Sequence, residues 1–370
     1  MDQNRLSLLA LHFIPGIGNY IIKQLISYCG TAEKVFLTPK GKLQKIPGVG
    51  EVTAEAIVRG KPFDRAEKEL RKSEKENANL IFFTDKNYPS RLRQLADAPS
   101  LLYTKGNIDF ENPKAVAIVG TRKATDYGRD CVEQLVSGLL KHAALIISGL
   151  AYGIDIQAHK QAVKNNLPTL GIMGSGIDVM YPAAHVDTAK KMMKFGGIVS
   201  ENCFGTKPDA HNFPARNRII AGLCDVLVVV EAAQKGGALI TADIANTYNK
   251  DVLAYPGNVG RSYSEGCNSL IKSNKAHLIT GVHDLEYVMN WNVDNKIPSK
   301  KKEIFALEHY EPEEQTVLKV LLENNNQLMI DELSWRSGLT IGKLASLLLN
   351  LEFKGVLSPM PGKIYKIIKS

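Results

Sequence analysis

Cysteine is scarce and badly placed for covalent or metal chemistry. Five occur in 370 residues, Cys29, Cys131, Cys203, Cys224 and Cys267, and none forms a Cys-x-x-Cys pair. That spacing excludes a zinc knuckle and a disulfide framework, and fits thiols buried in a reducing compartment. No apolar run approaches the ~18–20 residues that a membrane span requires. The opening MDQNRLSLLALHFIPGIG lacks the apolar core of a secretory signal. A soluble, cytoplasmic protein with no membrane partner is expected. The Gly-Lys-Ser/Thr end of a phosphate-binding P-loop, the full Gly-x-Gly-x-x-Gly fingerprint and a Gly-x-Ser-x-Gly nucleophile elbow are all missing as well.

What is present is a modest basic excess. Forty-six Lys and Arg stand against 38 Asp and Glu, a formal charge of +8, which favours a polyanionic partner weakly. At this length two or three domains are expected. A helical block covers 1–75 and an α/β block 76–292. A linker with Pro298 and the run Lys300, Lys301, Lys302 covers 293–312, and a small helical block covers 313–370. In the middle block, short β-branched runs at 80–83, 101–104, 115–119, 145–148, 169–173, 198–200, 226–230 and 252–254 alternate with helical patterns. Near-continuous apolar runs such as Val-Leu-Val-Val-Val read as strands buried on both faces, hence a parallel sheet covered by helices.

The first block repeats one motif. Ile14-Pro15-Gly16-Ile17-Gly18 and Ile46-Pro47-Gly48-Val49-Gly50 each precede an amphipathic helix, the pattern of tandem helix-hairpin-helix units. Such turns offer backbone N–H groups to phosphate, or else simply pack two hairpins together. The last block reads as three helices and a hairpin, a winged-helix order. Its third helix, IGKLASLLLNLEF, carries one lysine, Lys343, which favours packing or protein contact over base readout.

The chemistry concentrates in the turns of the middle block. After the strand 115–119 comes Gly120-Thr121-Arg122, where a hydroxyl, backbone N–H groups and a guanidinium face an anion. Ser148-Gly149 and Gly174-Ser175-Gly176 follow the next strands, and Lys235-Gly236-Gly237 opens a helix after the strand 226–230. The segment Phe213-Pro214-Ala215-Arg216-Asn217-Arg218 adds a basic wall beside an aromatic, the pairing that single-strand binding uses. Pro214 places Phe213 in a loop before a helix, where stacking on a base is favoured over a core role. Sheet geometry brings these turns to the carboxyl ends of the strands, where α/β proteins bind ligands.

Taken in order, GTR, SGLAYGID with Ala158-His159, GSGID with Tyr181-Pro182, FPARNRIIAG and KGGALITA resemble the DNA-processing protein A family (DprA or Smf). The resemblance spans about 77–285. It implies an extended Rossmann-like parallel sheet flanked by a helix-hairpin-helix-like domain and a winged-helix-like domain. It also implies a non-enzymatic, homodimeric protein that binds single-stranded DNA and loads the RecA recombinase during natural transformation. The family's positive pocket maps onto Arg122, with Phe213 and the Arg216–Arg218 stretch nearby. A lysine that some members place before the equivalent of Phe213 is absent, since Ala210 and His211 stand there, and Lys207 is the candidate substitute.

Other readings compete. A nucleotide-processing hydrolase of the lysine-decarboxylase-like type would need a glutamate after its glycine turn, and none follows Gly236-Gly237 before Asp243. Ser148, Asp155 and His159 could be assembled into a triad, although Asp155 and His159 at i, i+4 read better as a pair that shapes the pocket. A mononucleotide sensor could use the same cradle. No catalytic residue, metal or cofactor is expected.

Overall fold

In the computed structural model, residues 2–291, 307, 310–324 and 326–368 are described. The linker expected at 293–312, including Pro298 and Lys300 to Lys302, lies almost wholly outside them. The chain divides into two compact units: Arg71–Lys296, and Met1–Leu70 together with Ile297–Ser370.

The chain begins with α1 (Gln3–His12), α2 (Asn19–Cys29), α3 (Ala32–Leu37), α4 (Lys40–Leu43), α5 (Glu51–Arg59) and the charged α6 (Phe63–Lys75). The repeated motif folds the same way twice. Gly16 takes a φ of 80° and Gly48 a φ of 82°. Both lie in the left-handed region, which glycine enters without a Cβ clash. Across each turn the following apolar residue donates back, Ile17 N–H to the Ile14 carbonyl at 3.2 Å and Val49 N–H to that of Ile46 at 3.0 Å. All four of those side chains are buried, and α2 and α5 start directly after Gly18 and Gly50.

The middle unit continues with β1 (Asn79–Phe82), α7 (Ser90–Arg93), β2 (Leu101–Gly106), β3 (Ala115–Val119), α8 (Asp126–Gly138), β4 (Leu145–Gly149), α9 (Ile154–Lys164) and β5 (Thr169–Ile172). It then runs through α10 (Val186–Met192), β6 (Gly197–Ser200), α11 (Asn212–Leu223), β7 (Val226–Val229), α12 (Gly237–Thr247) and β8 (Asp251–Ala254). It closes with α13 (Glu265–Lys272), β9 (His277–Leu278) and α14 (Val282–Val288). These strands form one nine-stranded sheet in the order β1-β2-β6-β5-β4-β3-β7-β8-β9. From β6 to β9 every pairing is parallel, while β1–β2 and β2–β6 are antiparallel. The sheet is thus mostly parallel, as expected, with two antiparallel pairings added at one edge. Antiparallel neighbours need no crossover helix, and β1 and β2 are joined by loops and the single turn of α7.

Burial on both faces explains the apolar runs: every residue of β3, β4 and β7 is buried. Val116, Ile118, Ile146, Val226 and Val228 form a core with Val132, Leu135, Ile154 and Ala158 from α8 and α9. Chain order reverses at β3, which has β4 on one side and β7 on the other. That is a topological switch point, and such a point opens a crevice outside the carboxyl ends of the strands.

The C-terminal domain consists of α15 (Pro312–Leu322), β10 (Gln327–Met329), α16 (Ile330–Ser337), α17 (Ile341–Phe353), β11 (Leu357–Met360) and β12 (Ile364–Ile367). Its small sheet, ordered β10-β12-β11, is antiparallel. The strand β10 was not anticipated from the sequence. Within the same unit, α16 packs on α2, and the Ser334 hydroxyl donates to the Ser27 carbonyl at 3.3 Å.

Candidate functional site

The switch point is occupied by a cleft of about 1000 Å³. The loop after β3 supplies Gly120, Thr121, Arg122 and Lys123, and the loop after β7 supplies Lys235, Gly236 and Gly237. Ala151 and Asp155 come from the end of β4 and the start of α9. Lys207, Phe213, Arg216 and Asn217 come from the approach to α11 and its first turns. Arg122, Lys123, Lys207 and Lys235 are exposed, so four cations face solvent across the opening.

Packing constraints set the backbone of this cradle. A Cβ on Gly120 would meet Ile154 Cγ1 at 2.5 Å and the Glu231 carbonyl at 2.9 Å, so only glycine lets the β3 loop turn here. The Thr121 N–H, expected to face an anion, donates instead to the Glu231 carbonyl at 2.7 Å and ties the β3 and β7 loops together. The Thr121 hydroxyl accepts from the Lys123 N–H at 3.2 Å. Asn217 Nδ2 donates to the Gly237 carbonyl at 3.3 Å, which holds the start of α12 against α11. The first residues of α12 bring a helix N-terminus to the cleft, and its partial positive charge favours anions.

The aromatic wall differs in one respect from the sequence reading. Phe213 is not in a loop; it sits in the first turn of α11. Pro214 is accommodated there because N–H groups in the first turn have no intrahelical partner to lose. The ring is half-buried, with the Arg122 guanidinium 5.7 Å from its centroid and the Tyr181 ring at 5.8 Å. Gly174 makes room for it: a Cβ there would meet Phe213 Cδ1 at 2.9 Å. Tyr181 is 46% exposed and lines the cleft, a site residue that sequence reasoning noted only as part of a Tyr-Pro pair.

The two arginines of α11 do not form a basic wall. Arg216 is 6% exposed, donates to the Ile172 carbonyl, and lies beside Asp155 in the cleft floor. Gly149 provides their space, because a Cβ would meet Arg216 Nη1 at 2.5 Å and Asp155 Oδ2 at 2.6 Å. Burial pushes Asp155 up to about 6 against the opposing pull of Arg216, and burial pushes Arg216 down. Arg218, two residues further along the helix, points away from the cleft. It pairs with Glu201 and donates to the Asp97 carbonyl at 2.6 Å.

Three further expected positions lie below the surface or to one side. The Ser148 hydroxyl is fully buried and donates to the Ile118 carbonyl at 2.6 Å. Ser175 is buried and donates to the Val179 carbonyl at 2.7 Å, while Gly176 is closely backed by the Cys203 carbonyl. None of the three lines the cleft. His159 is fully buried, its Nδ1 lies 2.7 Å from Thr169 Oγ1, and burial lowers it to about 3. The Ser148 hydroxyl also lies within hydrogen-bonding reach of the Asp155 carboxyl, whereas His159 Nδ1 is taken by Thr169. Glu231, which the sequence reading passed over, accepts from the Thr125 N–H at 2.9 Å and from the Thr125 hydroxyl at 2.6 Å, fixing the start of α8. Its only sequence signal is an acid placed directly after the Val226–Val230 run.

The described residues contain no group of His, Cys, Asp or Glu arranged to hold a metal ion, and no helix long and apolar enough to cross a membrane. The site is an open, cationic, aromatic-walled cleft at a strand switch point. Known proteins resemble the chain that builds it, in sequence and in fold. Residues 79–290 match the family model for DNA recombination-mediator protein A, and residues 305–363 match that for the DprA winged helix domain. The DNA processing protein DprA of Streptococcus pneumoniae is 40% identical over 205 residues, covering 54% of this chain and 71% of that protein. Protein Smf of Escherichia coli is 33% identical over 299 residues, covering 78% and 77%. Among solved structures, DNA processing protein A from Streptococcus pneumoniae superposes with a TM-score of 0.66 at 32% identity, covering 78% of this chain and 98% of that one. DNA processing protein A from Helicobacter pylori, solved to show its single-stranded DNA binding mode, gives 0.53 at 28% identity, covering 58% and 96%. With the model matched across the whole sheet that builds the cleft, the chain belongs to the DNA recombination-mediator protein A family.

Proposed function

We propose that the cleft holds single-stranded DNA and that the chain acts in recombination as a binding protein, without catalysing a reaction. The observation that carries this is the position of the Arg122 guanidinium 5.7 Å from the centroid of the half-buried Phe213 ring, at the mouth of a cleft with four exposed cations. A strand presents phosphates every nucleotide and an unpaired base face beside each. Cations track the first and aromatic rings stack on the second. A duplex hides its base faces, so the Phe213 and Tyr181 rings favour the single strand. Following the resemblance, the bound strand is incoming DNA in natural transformation. It is protected in the cytoplasm by a homodimer and passed to the RecA recombinase.

The test is length. A strand binder gains affinity from a mononucleotide to an oligonucleotide of about 10 nucleotides, because the single-strand sites of such proteins span roughly 4–16. Equal affinity for the two would establish a mononucleotide sensor instead. Multi-turnover release of base or phosphate, abolished by Asp155→Ala, would establish a hydrolase. A RecA pull-down and light scattering with and without DNA address the partner and the dimer, and a monomer at all concentrations would exclude the latter.

A further inference from the structure

A second basic cleft lies at the opposite edge of the same sheet. Its residues precede strands rather than follow them: Asn166 and Leu167 lead into β5, and Lys190, Lys191, Lys194 and Phe195 lead into β6. Because β5 and β6 are parallel neighbours, their entrances sit side by side at the amino edge, whereas the cleft at Arg122 opens at the carboxyl edge. The amino-edge cleft has a volume of about 340 Å³ and no carboxylate among the described residues that line it.

Three features set it apart from an ordinary solvated surface. Lys190, Lys191 and Lys194 form no ion pair among the described residues, so three uncompensated charges gather on one concave wall. The Phe195 ring is 42% exposed. A single exposed ring is ordinary, as Phe353 at 81% shows, and what distinguishes Phe195 is its place on the wall of a concave surface lined by three lysines. Lys194 Nζ stands 5.0 Å from the centroid of that ring, so a cation and an aromatic face are offered together, as Arg122 and Phe213 offer them in the first cleft. Lysines in the last turn of α10 complement its dipole, but the dipole asks for neither the concavity nor the exposed ring.

We infer that this amino-edge cleft is a second contact for single-stranded DNA, taking phosphates on Lys190, Lys191 and Lys194 and a base on Phe195. The inference rests on the first cleft binding a single strand. A strand anchored there must pass around the helical layer to reach the other edge, so only a longer oligonucleotide engages both. The lysines then contribute to length dependence and salt dependence, and not to the affinity for a short strand.

The experiment uses the full chain and two oligothymidylates, one of about 6 nucleotides and one of about 40, lengths within and well beyond the span of a single site. The variants are Lys190→Gln/Lys191→Gln/Lys194→Gln, Phe195→Ala and Arg122→Ala, each checked for an unchanged melting curve. The triple variant should bind the short strand as the parent does and bind the long strand roughly tenfold more weakly at low salt. Its slope of log affinity against log salt should be shallower by about 2, since each phosphate contact on a single strand contributes about 0.7. Phe195→Ala should weaken only the long strand and leave the slope in place. An unchanged long-strand affinity and slope in the triple variant, or an equal loss for both lengths, would overturn the second contact. In either case a weakened short strand in Arg122→Ala keeps the first cleft standing. A short strand that ignores Arg122→Ala removes the first cleft and with it the basis of the second.

Discussion

Removing the guanidinium of Arg122 and removing the ring of Phe213 should have separable consequences, although the two groups are 5.7 Å apart. Arg122→Ala should weaken binding to every sequence and flatten the salt dependence by about 0.7, the share of one phosphate. Phe213→Ala should cost on the order of 1–3 kcal/mol of binding with the slope intact, because stacking releases no counterion. If Phe213 belonged to the core, its loss would lower the melting temperature by several degrees. Melting curves and affinities at several salt concentrations for both variants decide this. Asp155 gives the cleft a pH dependence. Burial raises it from 3.8 to about 6, so the folded state holds this proton more tightly than the unfolded chain. Its contribution to stability is therefore full below about 4 and lost as pH rises toward 6. The same deprotonation adds a negative charge beneath the cations proposed to hold phosphate. DNA affinity should fall by about fivefold, on the order of 1 kcal/mol, as pH rises through 6. Asp155→Asn should abolish that step, and a pH titration of affinity that is identical in the variant and the parent would exclude Asp155 as its source.

At the scale of elements, α11 shows what helical periodicity does to a basic motif. Arg216 and Arg218 are two residues apart, which on a helix turns them to different faces. One lies in the cleft floor beside Asp155 and the other is clasped by Glu201 outside the cleft lining. Arg216→Ala should cost about 3–5 kcal/mol near pH 8, where it strands a buried carboxylate, and less near pH 5, where Asp155 accepts a proton. Arg218→Ala should stay within about 1 kcal/mol and leave the salt slope of DNA binding unchanged. Urea unfolding at the two pH values tests the first, and an Arg216→Ala loss that does not vary with pH would separate it from Asp155. The strands were legible because each expected one carries an apolar run, and all eight form. The two-residue β9 was not, since His277 and Leu278 are exposed and carry no such run. The turns at Gly120 and Gly236 were legible from glycine and register. The burial of Arg216 was not, because its counter-charge stands far earlier in the chain and only the fold brings Asp155 to it. The antiparallel placement of β1 and β2 was hidden for a related reason: an apolar run reports burial and says nothing of direction.

At the scale of the molecule, two blocks that the whole middle unit separates in sequence belong to one unit of structure. The seam lies between α2 and α16, where Ser27 and Ser334 are each 1% exposed and joined by a hydrogen bond. α2 is also the helix that follows the first Pro-Gly turn, so the tandem hairpins are supported from outside their own sequence. The C-terminal domain has its own core of Val317, Leu318, Leu321, Leu333, Leu344, Leu348 and Leu351. It should therefore fold without its partner, whereas the hairpins lose a covered face when it is removed. A chain ending at residue 291 should keep the amide protection of β3, β4 and β7 and the affinity for a short oligonucleotide, since the sheet and its first cleft lie wholly within Arg71–Lys296. In the same truncated chain the amides of α2 should exchange faster by roughly 10- to 100-fold. That corresponds to the loss of about 1–3 kcal/mol of local stability from uncovering one helix face. Hydrogen exchange on the full and truncated chains reads both regions in one experiment. Unchanged protection in α2 would show that the hairpins need nothing from α16. Lost protection in β3 as well would show that the middle unit depends on the C-terminal domain for its stability, which its own buried sheet gives no reason to expect.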